Sequence, residues 1–430
     1  MLKKVINNTI WLSLEQILRL GLGFFVGAWL ARYLQPQQYG LLNYTMGFVG
    51  LFSPLAYLND LNQIVVRDIT LESSDKNEII GTSFTLKLLG SLITIFLSTV
   101  TIILLRPNDN LSQSLIIILS FSTIFYSFNT IDCWFQQQIK SKYTVIAKNI
   151  TFIFITLGRI LLISTNAPLI AFAWVMFVEG ALSSIALVIA YYISGQALTK
   201  WKFCFKRAKK LLKDSWTLIL SGLAISIYLR IDQTMLGQII GDYEVGIYSV
   251  AVRLSEICCF LPSAFVTSVF SSIIQAKEKG DTEFYRRLQQ LFDIMVLMAY
   301  GFAILMIFSS KILVNLVYGE HYAATTNVVA VHIWSIIFMF LGFAKNIWVI
   351  AENQGAYTLT STVIGAIMNI FLNLWLIPSY QAIGAAIATI ISYGFADYIS
   401  CLFYKPARPI FGMITKSLTL TSCIFRILRK

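Results

Sequence analysis

Residues 239–248 read IIGDYEVGIY and lie between two long apolar runs. A related phrase, YLQPQQYGLLNY, fills residues 33–44, 206 positions earlier when Gly246 is laid on Gly40. Each has a short polar turn, an acidic or amide residue, an aromatic or branched residue, a glycine and a fresh apolar run. A connector written twice raises the question of a duplicated unit, and the rest of the chain bears on it.

The flanking runs are typical of the whole sequence. Hydrophobic residues make up 57% of the 430, charged residues only 13%, and mean hydropathy is +0.73. A water-soluble domain carries far more charge on its surface. Apolar stretches of about 20 residues, the length a helix needs to cross a ~30 Å hydrocarbon core, recur along the chain. They divide into twelve spans: 10–32, 41–59, 80–105, 112–131, 144–165, 168–193, 215–238, 247–274, 290–316, 324–350, 357–377 and 382–403. The period-two alternation of a membrane β-barrel is absent.

Loop charge sets the expected orientation, because Lys and Arg accumulate in cytoplasmic loops. One alternate set of loops carries Lys3, Lys4, Arg67, Lys76, Lys140, Lys142, Lys148, the cluster from Lys200 to Lys213, Lys277, Lys279, Arg286, Arg287 and the tail from Lys405. The opposite set holds only Arg32 and Arg106, at helix edges. Both termini are therefore expected on the inner side. The net charge of +12 reads as a topology signal, so no nucleic-acid partner is invoked. The 200–213 loop could also meet the anionic headgroups of membrane lipids.

Nothing marks a redox, metal or nucleotide site. The six cysteines are scattered, and His321 and His332 form no ligand set. Phosphate-cradling loops and nucleophile elbows are missing, so no cofactor and no metal is expected. Outer loops of about ten residues at most leave little room for the catalytic groups of a membrane enzyme such as a polymerase or ligase. The first span lacks a small-residue cleavage site and is expected to be retained as a helix.

Six spans precede the basic stretch and six follow it. An even number per half predicts two lobes of like orientation, related by an axis along the membrane normal. Further echoes keep the same order: KSKYT (140–144) with QGAYT (354–358), and LIAFA (169–173) with AIGAA (382–386). The expected fold is an all-α membrane protein of about twelve transmembrane helices in two six-helix lobes with a parallel pseudo-two-fold repeat. Its divisions are an N-terminal lobe (1–198), a basic linker (199–214), a C-terminal lobe (215–404) and a basic tail (405–430).

The chain resembles the polysaccharide biosynthesis flippases (Wzx-type, O-antigen transporters) of the multidrug/oligosaccharidyl-lipid/polysaccharide exporter superfamily. The similarity is carried by ARYLQPQQYGLLNYTMGFVGLF (31–52), VVRDI (65–69), FQQQIKSKYTVIAKNI (135–150), YLRIDQTMLGQIIGDYEVGIYSVAVRLSE (228–256) and LVYGEHY (316–322). It implies a non-enzymatic transporter in a bacterial inner membrane that moves an undecaprenyl-pyrophosphate-linked oligosaccharide between leaflets. A polysaccharide polymerase and chain-length machinery would be its partners. A cation-coupled small-molecule antiporter of the same superfamily is the alternative.

Charges inside the spans are the candidate site, since a charge at the bilayer centre costs ~2.5–3.5 kcal/mol on insertion scales. Lys87, Asp132, Asp293, Lys311 and Lys345 lie near span ends, from which they are expected to snorkel. The deeper set is Arg19, Arg159, Arg230 and Arg253, with Glu15, Glu179, Asp232, Glu256 and Asp397. The arginines are candidates for a cationic, pyrophosphate-binding cavity, because the guanidinium fork binds phosphate bidentately and keeps its charge. Helical spacing also allows Glu15 with Arg19, and Arg253 with Glu256, to be simple intrahelical pairs. Glu179 and Asp397 have no cationic neighbour along their helices and are candidates for coupling to a proton or sodium gradient. Tyr228 and Trp216 are candidate stacking platforms for sugars. Pro54 and Pro262 are expected bending points, and Gly21, Gly23 and Gly27 expected close-packing positions.

Overall fold

The computed structural model describes the backbone of residues 2–419 and the side chains of residues 19–419, other than those of positions 59, 60 and 73. Among these residues there are helices and turns and no strand. The run Leu2–Phe52 holds two helices, because Gln35 (φ 57°, ψ 170°) turns the chain inside it. They are α1 (residues 2–34) and α2 (residues 36–71), the latter bent by 52° where Phe52 gives way to Pro54. Next come α3 (Lys76–Leu105), α4 (Asn110–Gln137), α5 (Lys142–Ser164) and α6 (Leu169–Ile193). α7 spans Phe205–Ile239. It is followed by α8 (Asp242–Glu278), α9 (Asp281–Tyr318) and α10 (Thr325–Ala351). The run Gly355–Phe403 again holds two helices, α11 (residues 355–380) and α12 (residues 382–403), divided at Gln381 (φ 53°, ψ −132°). A short amphipathic helix, α13 (Arg408–Leu418), follows.

By length and hydropathy alone, eight of the described runs suffice to cross a membrane, or nine if the bent segment counts as one. Dividing runs at Gln35 and Gln381, and adding the more polar α7, gives the twelve helices expected from the sequence. The protein is an all-α, multi-pass membrane protein.

The duplication is written into the backbone. Each echoed phrase contains or follows a residue with positive φ, at matching places in the two halves: Gln35 and Gly241, Ile139 and Asn353, Asn166 and Gln381. The helix breaks also match. α2 breaks at Ser53, just before Pro54, and α8 passes through a 3₁₀ turn at Ile257–Cys259, just before Pro262. Proline removes a backbone donor and tightens or bends the turn before it. α4 carries a 3₁₀ stretch at Thr123–Asn129, and α10 is interrupted between His332 and Ser335.

The chain forms two compact units, 1–34 with 41–230, and 35–40 with 231–430. The division falls inside α7, later than the start of the second lobe expected at residue 215. In the first unit, Leu61, Val65, Ile79, Ile131, Phe135 and Tyr191 form a buried cluster that also takes in Ala208 and Leu211. The stretch expected as a linker thus contributes core residues. In the second unit, Phe284, Leu288, Phe292 and Met295 of α9 are buried, as are Ile410 and Ile414 of α13. α13 packs on α9, where Ser417 Oγ donates to Asp293 Oδ1 at 2.6 Å. Residues 408–418, expected as tail, therefore form a docked helix; residues 420–430 lie outside the described residues.

The repeated glycines meet within the second unit. A Cβ on Gly40 would lie 1.7 Å from the Asp242 carbonyl oxygen, and one on Gly246 would lie 2.1 Å from that of Pro36. The two helix starts approach backbone to backbone, so neither position has room for a side chain. Gly21 and Gly23 behave differently from expectation, with nothing within 4 Å of an added Cβ. Helical spacing identified them as small, but small residues pack closely only where another backbone comes near.

Candidate substrate cavity

Within the first unit, α2, α4, α6 and α7 enclose a cavity of about 540 Å³. Two of these helices are irregular there: the Ser53–Pro54 break and the 3₁₀ segment around Thr123 and Tyr126 both line it. Non-helical backbone at membrane depth is tolerated where it faces a cavity. Tyr57 and Tyr126 stack with ring centroids 3.8 Å apart and an interplanar angle of 28°. Ser53, Ser122 and Ser226 are also among the lining residues. Arg230, an exposed residue of α7, belongs to the same lining.

The other sequence candidates are distributed elsewhere. Arg19 donates to the Lys148 carbonyl at 3.3 Å and lies 5.1 Å over the Phe152 ring. Arg159 pairs with Glu179 across α5 and α6 at 2.6 Å, both about three-quarters buried. Arg253, in the second unit, donates to Tyr39 Oη at 3.4 Å. Of the four arginines, Arg230 is the one on the cavity lining. Tyr228 is buried and Trp216 exposed, and neither lines the cavity. Glu256 is exposed. The side chain of Glu15 lies outside the described residues.

Several charges judged from one helix have partners on another. Asp397 accepts from Lys345 Nζ at 2.8 Å within a π-helical turn, and that lysine also donates to the Ala396 carbonyl. Lys345 is therefore buried and paired instead of snorkelling. So is Lys87, fully buried, whose Nζ donates to Asn62 Oδ1 at 2.5 Å. Asp293 is also buried, held by Ser417 and Gln289. Asp132 pairs with Lys148 at 2.8 Å, and Lys311 is exposed. Position along a span records depth but not what a neighbouring helix supplies.

Asp232 is 4% exposed in the second unit and collects donors from three helices. Tyr248 Oη donates at 2.9 Å, Thr389 Oγ1 at 2.7 Å and Asn373 Nδ2 at 2.5 Å. Tyr248 and Thr389 are 3.0 Å apart, and Asn373 Nδ2 also donates to Asn369 Oδ1 at 2.9 Å. A buried carboxylate needs such donors to persist. Asn369 and Asn373, one turn apart in an otherwise apolar span, were a readable signal for this cluster. Tyr57 and Tyr126 carried none, since aromatics are common in membrane helices. Among the described residues no group of three or more His, Cys, Asp or Glu could hold a metal.

The basic face of the first unit is partly neutralised. Arg207 reaches Glu72 at 2.5 Å, Asp75 at 3.1 Å and Glu78 at 3.2 Å, and Lys210 reaches Glu72 at 3.2 Å. Hydrogen bonds from Arg207, then Lys210, hold the partly exposed Glu72 carboxyl below the usual glutamate range. This network ties the start of α7 to the turn between α2 and α3.

Comparison with known proteins agrees with this architecture. The family model described as "Polysaccharide biosynthesis protein" matches residues 5–274. The chain belongs to the polysaccharide biosynthesis protein family. A second model, MatE, matches residues 218–375. A probable low-salt glycan biosynthesis flippase, Agl15, of Haloferax volcanii is 24% identical over 218 residues, covering 49% of this chain and 45% of that protein. The match thus spans less than half the length of that relative. Among solved structures, an inward-facing multidrug resistance MATE family transporter of the MOP superfamily has a TM-score of 0.72 at 14% identity, covering 95% of this chain and 99% of its own. The lipid II flippase MurJ, inward closed, gives 0.67 at 15% identity, with coverage of 99% and 93%. At such identities the likeness concerns the fold.

Proposed function

We propose that the protein is a flippase that carries an undecaprenyl-pyrophosphate-linked oligosaccharide from the inner to the outer leaflet of a bacterial plasma membrane by alternating access. The supporting observation is the cavity, which joins an arginine, a stacked tyrosine pair and several hydroxyls inside a membrane-embedded unit. A guanidinium fork suits phosphate oxygens. Aromatic faces suit the apolar faces of sugars, and hydroxyls suit their polar edges. Arg230 is the proposed phosphate contact. Arg19, Arg159 and Arg253 remain proposed contributors in other states of the transport cycle.

Asp232 is the proposed coupling residue, binding a proton or a sodium ion, because a membrane-buried carboxylate among neutral donors is a functional site by default. Glu179 and Asp397 are assigned instead to structural ion pairs with Arg159 and Lys345. Both termini are proposed to lie in the cytoplasm, with a polysaccharide polymerase and chain-length machinery as partners. The second reading, a cation-coupled small-molecule antiporter, is favoured by the MatE match over 218–375, which includes Asp232. Complementation of a flippase-deficient strain discriminates between them. Arg230→Ala is expected to abolish export at normal protein level, and Arg230→Lys to retain part of it. Full export by Arg230→Ala would remove Arg230 from the mechanism.

A further inference from the structure

A second concavity, of about 290 Å³, lies in the second unit between α8 and α9. Phe265, Val269 and Ile273, four residues apart on α8, give it an apolar wall, and Leu291 and Ile294 of α9 complete the floor. Its mouth is polar, with Ser272, Arg286, Arg287 and Gln290. Arg286 and Arg287 are the lining residues of α9 nearest the α8–α9 turn, and Phe265 and Val269 are those of α8 farthest from it. A helix rises 1.5 Å per residue, so the eight steps from Phe265 to Ile273 give the groove a length of about 12 Å.

The mouth carries two arginines. Arg286 and Arg287 share one carboxylate, Glu283, with contacts of 2.7 Å and 2.8 Å. Arg287 NH1 also donates to Ser272 Oγ at 2.6 Å and to the Ser272 carbonyl at 3.1 Å. These bonds aim the guanidinium at the groove from a fixed position. Two guanidiniums therefore stand at the mouth of an apolar slot at a membrane-helix end, where headgroups lie. Basic pockets between transmembrane helices bind anionic headgroups, and an apolar floor distinguishes a lipid from a soluble anion.

We propose that this groove binds an anionic diacyl phospholipid, its phosphate at Arg286 and Arg287 and the start of an acyl chain along Val269, Ile273 and Ile294. The site is separate from the cavity at Arg230 and takes a lipid as a resident ligand, not as cargo. Native mass spectrometry of the full chain in detergent, titrated with phosphatidylglycerol or phosphatidylcholine, tests it. Phosphatidylglycerol should bind at least tenfold more tightly. Arg286→Ala with Arg287→Ala should remove that preference. Because Arg287 also holds Ser272, Val269→Trp supplies an independent test: it fills the slot, keeps every charge, and should weaken phosphatidylglycerol at least fivefold. Inorganic pyrophosphate should not compete. Equal binding of the two lipids, an unchanged Val269→Trp titration, or displacement of lipid by pyrophosphate overturns the proposal.

Discussion

Replacing Gly40 by alanine perturbs the feature that the sequence writes twice. An alanine in a helix interior is favoured over glycine by roughly 0.5–1 kcal/mol. Against that, its Cβ would stand 1.7 Å from the Asp242 carbonyl oxygen, whereas ordinary contact begins at 3.4 Å. The opposing atom is backbone, which cannot rotate away, so the two helix starts must part by about 1.7 Å. Overpacking of this kind costs about 1–3 kcal/mol, and a rigid backbone obstacle argues for the upper end. The net expectation is a loss of about 2 kcal/mol, a fall of about 4–8 °C in Tm for a unit of this size. Gly246→Ala meets the Pro36 carbonyl at 2.1 Å and should cost a similar amount. Since either change opens the same crossing, the double variant should lose much less than the two single losses together. Gly21→Ala, with nothing within 4 Å, is the control and should leave Tm unchanged or slightly raised. Thermal unfolding of the purified protein in detergent reads all four. A Gly40→Ala protein as stable as wild type, or as little affected as Gly21→Ala, refutes the close crossing.

Arg159→Ala strands Glu179 and should cost about 1–2 kcal/mol, visible as lower membrane abundance. Removing Glu179 as well should restore abundance, and a double variant no better than the single would break that pairing. Asp232→Asn keeps the shape of the Tyr248–Thr389–Asn373 cluster while removing its charge. It should leave the fold intact but abolish dependence of transport on the ion gradient, measured in proteoliposomes with and without that gradient; an unchanged dependence would place coupling elsewhere. Arg207→Glu should lower Tm at neutral pH. Glu72 sits below its usual value because of Arg207, so the contribution of this contact is present above the ordinary glutamate range and fades as pH falls. The gap between wild type and Arg207→Glu should therefore narrow on acidification, and a gap that widens contradicts the network.

Hydropathy made the twelve helices legible, because each crossing must satisfy its backbone internally with a run of apolar residues. The repeat was legible for a related reason. A left-handed turn followed by a helix start constrains residue choice, so the phrases after Gln35, Ile139 and Asn166 return after Gly241, Asn353 and Gln381. The candidate site was legible only in part. Deep charges are visible in one dimension, but their partners are set by lateral packing. Lys345 was read as snorkelling and Asp397 as lacking a cationic neighbour along its own helix, and the two form one pair between helices. The 199–214 stretch shows the same limit. Its charges suggested a solvated linker, while Ala208 and Leu211, spaced one turn apart beneath them, enter the core.

In the proposed transport cycle a phosphate-linked saccharide passes through the cavity at Arg230. The most direct test is translocation of a fluorescent undecaprenyl-pyrophosphate-linked oligosaccharide in proteoliposomes, read by quenching from an impermeant reagent. The purified protein should carry the probe to the opposite leaflet, Arg230→Ala should stop it, and Arg230→Lys should slow it. Failure of the wild-type protein to move the probe, while it expels a small organic cation against an ion gradient, would contradict the account.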